Sequence, residues 1–300
     1  MLMLVGGLLV FISSFFIKAS VSSPSGLIDP FVSANSNDIN NQDNQIIKSP
    51  LGDVVENALA GSKGNYSVVI KNLKTGESYF KNESNLYETG SLYKLWVMAV
   101  AYKKIQEGTL PKDELLADDI PNLNHKFGIG PEDAELTSGS IDMTVTEAIK
   151  QMITISHNYA ALLLTDKIKV TSVESFLKEN GFNSSSVGKG TDVPKSSASD
   201  IASFWEKLYK GELADQASTA EMLDILKAQT FDDGLPKYLP EQAILANKTG
   251  DIGWFKHDSG IVFSEKGDYI IVVMSESESP TGAQDRIALI SKAVYEYFNK

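Results

Sequence analysis

The hydrophobic and polar positions divide the chain into an apolar start, a polar stretch and a long periodic part. Residues Met1 to Ile17 are uncharged and mostly apolar, and this run stops at Lys18. Such a run is at the short limit for a membrane-spanning helix and is long for the core of a signal peptide. We therefore predict a signal peptide or membrane anchor over residues 1–18, and a flexible tether over residues 19–48, which are rich in Ser, Asn and Asp. Such a chain is exported to the cell envelope, either membrane-anchored or secreted.

Beyond the tether, some stretches show the hydrophobic period of helices and others show that of strands. Ser49 and Pro50 predict the start of a helix that ends at Gly61. A second helix, from Thr89 to Gly108, is apolar on nearly all sides, which is typical of a core helix. The other predicted elements are strands at 66–71, 78–80, 243–247, 259–264 and 269–275, helices at the capping boxes Thr144 with Glu147, Thr171 with Glu174 and Ser218 with Glu221, and helices at 199–209 and before Phe298.

This order of elements predicts an α/β fold. Strands joined by short turns pair antiparallel, so the five strands form one antiparallel sheet in a three-layer α-β-α sandwich. The terminal helices cover one face, and the helix that begins near Ser91 covers the other. An all-helical subdomain (91–239) is inserted into the sheet subdomain (49–90 and 240–300), and both belong to one catalytic domain, residues 49–300. The stretch 110–143 shows no assignable period.

Composition narrows the classes of function. A formal charge of −12 and an isoelectric point near 4.8 argue against nucleic acid as a partner. The chain has no cysteine and three scattered histidines without metal-ligand spacing, so we expect no thiolate chemistry and no metal site. Glycine-rich phosphate loops are also missing, and we expect no cofactor. Membrane contact is expected through the N-terminal segment only, and we predict a monomer.

Ser91 and Lys94 are the first candidates for chemistry, because side chains three residues apart project from one face of a helix. A serine hydroxyl needs a base, and a lysine can serve as one if its pKa falls well below its usual value of ~10.4. The same spacing recurs at Ser175 with Lys178 and at Ser186 with Lys189. The pattern alone therefore does not select the catalytic pair.

Two further motifs follow in order, Ser156-His157-Asn158 after the Thr144 helix and Lys248-Thr249-Gly250 at the end of a strand. Each is weak alone, since Lys-Thr-Gly also occurs at Lys74 in a predicted turn. Together with Ser91-Leu92-Tyr93-Lys94 they form the set found in class A β-lactamases and penicillin-binding proteins. From about Leu51 to Phe298 the chain resembles the serine β-lactamase and penicillin-binding protein family.

The resemblance implies roles for the matching positions. Ser91 is expected to be the acylated nucleophile, Lys94 its base, and Ser156 the hydroxyl that relays a proton to the leaving nitrogen. The other family roles concern substrate binding: Asn158 contacts the side-chain amide, Lys248 and Thr249 of the Lys-Thr-Gly250 triplet hold the carboxylate, and the backbone N–H groups of Ser91 and Asp251 form the oxyanion hole.

Two departures from the family pattern affect these expectations. His157 stands where the family has Asp, which leaves open how this segment is anchored. The family's Glu-x-x-Leu-Asn loop has no counterpart between Asn158 and Ser199, so no deacylating base is identified. Asp192 is the only acid in the GFNSSSVGKGTDVPKSSAS segment that takes the place of the loop.

Three functions are compatible with these observations. The first is a serine hydrolase that opens β-lactams, with acylation faster than deacylation. The second is a DD-peptidase-type enzyme that acts on peptidoglycan stem peptides through the same acyl-enzyme chemistry. The third is a wall-binding or sensor module that keeps the fold without turnover. The substrate is accordingly a β-lactam or a peptidoglycan stem peptide.

Overall fold

The fold is built on an antiparallel sheet with helices on both faces. The computed structural model describes residues 49–188 and 192–300, and the predicted anchor (1–18) and tether (19–48) lie outside these residues. The sheet order is β2-β1-β9-β8-β7, and all its pairings are antiparallel. This confirms the predicted α-β-α fold and five-stranded sheet. The strands are β1 Asn65–Asn72, β2 Ser78–Lys81, β7 Ile244–Ile252, β8 Phe255–Phe263 and β9 Tyr269–Glu276.

The central strands are buried on both faces because successive side chains point to opposite sides of a sheet. On one side, Val68 of β1 and Ile271 of β9 pack with helices α1 (Pro50–Leu59) and α9 (Pro280–Phe298). On the other, alternate residues such as Val69 and Val272 pack into the larger core. The terminal helices therefore cover one face, as predicted.

The helix on the opposite face is not the predicted one. Helix α7, Ala198–Tyr209, packs on β1, β8 and β9, and its Trp205 indole donates to Ser259 Oγ on β8 at 3.0 Å. Helix α2, Lys94–Gln106, packs instead among four other helices, α4 Val145–Thr154, α5 Asn158–Ile168, α6 Val170–Glu179 and α8 Gln216–Lys227. The apolar surface of α2 is buried by other helices. The sequence pattern of a helix buried by helices is the same as that of a helix buried against a sheet.

The inserted part contains small strand pairs as well as helices, which corrects the expectation of an all-helical block. Its strands are β4 Leu115–Asp119, β5 Ser140–Thr144 and β6 Lys195–Ser197, and its remaining short helix is α3 Ile120–Lys126. Strand β4 pairs with β5, and β6 pairs with β3, Leu86–Glu88, which lies just before the inserted part. The unassigned stretch 110–143 thus contains β4, α3 and most of β5.

Of the three predicted capping boxes, the structure confirms one and contradicts two. Thr144 caps α4, with its hydroxyl accepting from Glu147 N and the Glu147 carboxylate accepting from Thr144 N. The predicted boxes at Thr171 and Ser218 are wrong, because α6 is preceded by Lys169 and α8 is capped by Asp215. At Ser218 the backbone N–H is the donor to Asp215 Oδ1, at 2.8 Å.

Two strands are longer than predicted, and this matters for the site. Strand β7 continues through Lys248-Thr249-Gly250 to Ile252, and β8 begins at Phe255, so His257 and Asp258 lie within the sheet. Pairing brings Thr249 opposite Asp258 and Gly250 opposite His257. Within the described residues, no helix is long and apolar enough to cross a membrane.

Candidate active site

Three motifs that are far apart in the sequence meet at Ser156. Ser156 Oγ lies 3.1 Å from Lys94 Nζ at the start of α2, and 3.1 Å from Lys248 Nζ on β7. Both lysines are fully buried, with 0% of their surface exposed. The hydroxyl therefore connects the helical part of the fold to the edge of the sheet.

Ser91 lies on a 3-10 turn, Gly90–Tyr93, which leads directly into α2. The predicted helix from Thr89 thus begins with a tighter turn, and Gly90 adopts φ +48°, a conformation that favours glycine. A Cβ on Gly90 would lie 2.6 Å from the backbone nitrogen of Asp251. This close approach places the turn that carries Ser91 directly against the residue that follows the Lys-Thr-Gly triplet.

Lys94 Nζ donates to three oxygen atoms around it. It lies 2.6 Å from the Ser156 carbonyl oxygen, 2.6 Å from Asn158 Oδ1 and 3.1 Å from Ser156 Oγ. An ammonium has three N–H donors, and a neutral amine has two N–H donors and one lone pair. The three contacts fit both forms, so the charge of Lys94 is decided by its electrostatic surroundings.

Electrostatics favours the neutral form of Lys94. Burial, and then the positive charge of Lys248, hold the pKa of Lys94 well below its usual value, while Glu135 acts in the opposite direction. Burial lowers the pKa of Lys248 to about 7, opposed by the carboxylate of Asp258. Because desolvation and a like charge both disfavour the ammonium form, Lys94 is the better base of the two.

The bend at Ser156-His157-Asn158 joins α4 to α5. Ser156 has φ +54°, a strained conformation for a non-glycine residue. His157, which stands where the family has Asp, is the N-cap of α5, because its Nδ1 accepts from Ala160 N at 3.2 Å. Burial, reinforced by Lys94 and opposed by Glu135, lowers the pKa of His157 and favours the neutral ring that this contact requires. The histidine therefore anchors the bend.

The predicted substrate-binding positions lie along one edge of the site. Lys248 Nζ also donates to the Thr249 carbonyl oxygen at 3.0 Å, and Thr249 itself is partly exposed. Gly250 is buried, and a Cβ there would lie 2.3 Å from the Thr89 carbonyl oxygen. Asp251 is exposed and forms an ion pair with Lys256. Glycine at position 250 therefore allows the strand to approach the Ser91 turn.

The duplicate motifs lie elsewhere. Ser175 and Lys178 are exposed on α6, and Ser186 is exposed in the segment before β6, with Lys189 outside the described residues. Lys74 lies in the turn between β1 and β2, where Gly76 has φ +77°. Lys178 and Lys74 are exposed and lack the burial that lowers the pKa of Lys94.

Three residues that sequence reasoning missed contact this constellation. The carboxylate of Glu135, in the unassigned stretch, accepts a hydrogen bond from the Asn158 amide. Asp258 is buried and accepts from Leu235 N at 2.8 Å and from Asn247 Nδ2 at 2.9 Å. His257 is buried between β3 and β9. His257 and Asp258 could have been found from the sequence, because they are polar residues next to the predicted strand that pairs with the Lys-Thr-Gly strand.

The segment between α6 and β6 replaces the expected glutamate loop. The Pro194 carbonyl oxygen accepts from Thr89 N at 2.9 Å, so the segment passes beside the Ser91 turn. Asp192 is exposed there. In residues 49–188 and 192–300, no group of three or more His, Asp or Glu side chains is arranged to hold a metal ion.

Comparisons with known proteins agree with this architecture. A model of the "Beta-lactamase enzyme family" matches residues 50–298. The structure of PBP-A is similar, with 24% identity, a TM-score of 0.71, and coverage of 83% of this chain and 95% of PBP-A. A β-lactamase from Sphaerobacter thermophilus DSM 20745 is 20% identical, with a TM-score of 0.73 and coverage of 84% and 98%. No curated protein matches the chain.

Proposed function

The chain belongs to the beta-lactamase enzyme family and is a serine hydrolase acting on β-lactams, and we propose that it opens the lactam ring through an acyl-Ser91 intermediate. The observation that supports this most directly is the position of Ser156 Oγ between the two buried lysines, 3.1 Å from each Nζ. One of these lysines lies three residues after Ser91. The arrangement therefore supplies a base, a proton relay and a cation around the proposed nucleophile.

In the first step, the neutral amine of Lys94 accepts the proton of the Ser91 hydroxyl. The serine oxygen attacks the lactam carbonyl carbon, and the carbonyl electron pair moves onto oxygen to give a tetrahedral oxyanion. The backbone N–H groups of Ser91 and Asp251 stabilise this oxyanion, and Gly90 and Gly250 allow their close approach. Each such donor is worth ~10²- to 10³-fold in rate.

In the second step, the C–N bond of the lactam breaks. Ser156 Oγ donates its proton to the leaving nitrogen and receives one from the Lys94 ammonium at 3.1 Å. Lys94 thereby returns to its neutral form, and the acyl group remains on Ser91. Lys248 Nζ donates to the same Ser156 oxygen, so the proton of the Ser156 hydroxyl points away from the sheet.

Substrate binding uses the two ends of the site. The ammonium of Lys248 and the hydroxyl of Thr249 hold the substrate carboxylate, and Asn158 contacts the side-chain amide. Asn158 is well placed for this, because it is exposed while its Oδ1 is held by Lys94. Its amide nitrogen has a second N–H besides the one donated to Glu135.

Deacylation is slow in this proposal, because the chain lacks the family's loop glutamate and Asp192 is exposed rather than held beside Lys94. A variant of PBP-A, a similar structure, was obtained as an acyl-enzyme complex with penicillin G. A long-lived acyl-enzyme would also suit a DD-peptidase-type role on peptidoglycan stem peptides. The apolar run at residues 1–17 would place either activity in the cell envelope, by anchoring or secretion.

Labelling with a fluorescent penicillin tests the nucleophile. Ser91→Ala should abolish the covalent adduct detected by mass spectrometry, because it removes the proposed nucleophilic oxygen. The matched control, Ser175→Ala on the exposed face of α6, should keep the adduct. An adduct retained in Ser91→Ala would refute the assignment, and no adduct on the unmodified protein would favour a non-catalytic module.

Stopped-flow kinetics with nitrocefin test whether acylation is faster than deacylation. General base catalysis contributes ~10²- to 10⁴-fold, so its absence should lengthen the life of the acyl-enzyme by about that factor. We expect a burst of about one equivalent, as the acyl-enzyme mechanism requires, followed by slow turnover. Rapid steady-state hydrolysis without a burst would contradict this, and loss of such turnover in Asp192→Asn would identify Asp192 as the base.

A further inference from the structure

A buried histidine joins the turn that carries Ser91 to the sheet. His257 on β8 is 3% exposed, its Nε2 lies 2.8 Å from the Glu88 carbonyl oxygen, and its Nδ1 lies 3.1 Å from the Ser275 backbone nitrogen. Glu88 is the last residue of β3, three positions before Ser91. We propose that His257 is a positioning residue that fixes the oxyanion hole, an inference that rests on the acyl-Ser91 mechanism.

The partners of His257 determine its tautomer. The Ser275 backbone N–H can only donate, so Nδ1 accepts, and Nε2 carries the hydrogen that it donates to the Glu88 carbonyl. Burial also lowers the pKa of His257 to about 4, which keeps the ring neutral near pH 7. The ring orientation is fixed by Tyr87 and Phe255, whose centroids lie 5.7 and 6.1 Å from that of the imidazole.

The contact acts on one peptide unit. The carbonyl of Glu88 and the N–H of Thr89 belong to the same planar peptide unit. The carbonyl accepts from His257 Nε2, and the N–H donates to the Pro194 carbonyl oxygen at 2.9 Å. The next residue is Gly90, which packs closely against the Asp251 backbone and leads into the turn that carries Ser91. Holding the Glu88–Thr89 peptide unit at both ends therefore fixes the backbone from which this turn begins.

The same imidazole also lies beside the second donor of the oxyanion hole. Gly250 pairs with His257 across β7 and β8, and a Cβ on Gly250 would lie 3.3 Å from His257 Cδ2. The Asp251 backbone N–H follows directly. One side chain thus contacts both of the segments that supply the proposed oxyanion donors, and its loss would change their separation without removing either of them.

Two substitutions separate the contacts of His257. In His257→Gln, the side-chain amide nitrogen reaches the position of Nε2 and keeps the donor to Glu88. In His257→Asn, the amide oxygen reaches the position of Nδ1 and keeps the acceptor for Ser275, but the Glu88 contact is lost. Both variants remove one hydrogen bond and some volume, so a purely structural role predicts similar effects from both.

The decisive readout is the stretching frequency of the ester carbonyl in the penicillin acyl-enzyme, measured by infrared difference spectroscopy with a ¹³C=O label. Donors in an oxyanion hole lower this frequency. We expect His257→Asn to shift the band to higher wavenumber and to slow acylation on the order of 10²-fold, the scale of a small misplacement, with KM little changed. His257→Gln should keep the wild-type band. Equal behaviour of the two variants would overturn the inference.

A measurement on the unmodified protein covers the case in which a variant does not fold. The ¹⁵N shifts of His257 between pH 5 and 9 should show a protonated Nε2 and an unprotonated Nδ1. The opposite tautomer would overturn the inference, because Nε2 could not then donate to Glu88. If penicillin forms no adduct with the wild-type protein, the proposed function fails first; if an adduct forms but the variants do not differ, only the role of His257 fails.

Discussion

Lys94 and Lys248 are both fully buried and both contact Ser156 Oγ, yet their surroundings favour different charges. Burial and the nearby cation of Lys248 hold the pKa of Lys94 low, and Glu135, the carboxylate that opposes this, is exposed and hydrogen-bonded to Asn158. Lys248 has the buried carboxylate of Asp258 to support its charge. Two lysines in one site can therefore serve as base and as cation because their partners differ.

Asp258 is the group that favours the positive charge of Lys248. Burial raises the pKa of Asp258 to about 6, and its two oxygens are held by Leu235 N and Asn247 Nδ2. Above that pH the carboxylate is ionised and favours the ammonium form of Lys248. A buried charge needs compensation, and on the sheet side of the site Asp258 is hydrogen-bonded while its charge opposes the effect of burial on Lys248.

The largest effect is expected from Lys94→Met, which removes the base but keeps a side chain of similar length. The acylation rate should fall by ~10²- to 10⁴-fold, the contribution of a general base. Lys178→Met, in the exposed copy on α6, is the matched control and should leave the rate unchanged. Acylation within a few-fold of wild type in Lys94→Met would show that another group takes the Ser91 proton.

Lys248→Ala tests the cation. Removing a buried charged contact to the substrate carboxylate costs ~2 to 5 kcal/mol, or roughly 30- to 5000-fold in acylation. The loss of a positive charge also raises the pKa of Lys94, so the acid limb of the kcat/KM profile should move to higher pH. The alkaline limb due to Lys248, near its pKa of about 7, should disappear.

Lys74→Ala, in the other Lys-Thr-Gly copy, is the control for this substitution. Lys74 is exposed in the β1–β2 turn, so neither the rate nor the pH profile should change. An unaltered profile in Lys248→Ala as well would show that Lys248 neither acts as the cation of the site nor affects the pKa of Lys94.

The smallest effect is expected from Glu135→Gln. Glu135 raises the pKa of Lys94, so its neutralisation should lower that pKa and move the acid limb of kcat/KM to lower pH. The shift should be small because the carboxylate is exposed and screened by solvent and salt. Glu132→Gln, in the same exposed segment, is the control. A shift to higher pH would mean that Glu135 does not act on Lys94 through its charge.

Much of the fold could be predicted from the sequence. The short apolar runs of β1 and β9, rich in Val and Ile, indicate strands buried on both faces, and the strands on both sides of the helical block indicate one antiparallel sheet. The capping box at Thr144 is local and was also recognised. The order of the three motifs indicated the site, although the roles of its residues stay predictions until they are tested.

Only the tertiary structure decided which polar residues are buried and what they contact. Lys94 and Lys178 occur in the same local pattern, but helices distant in sequence bury the first and leave the second exposed. His257 and Asp258 lie outside the predicted strand, yet both are buried within β8, where Glu88, Leu235 and Asn247 supply the hydrogen bonds that compensate for their burial. The cost of burying a polar group depends on its partner, and that partner is set by the fold.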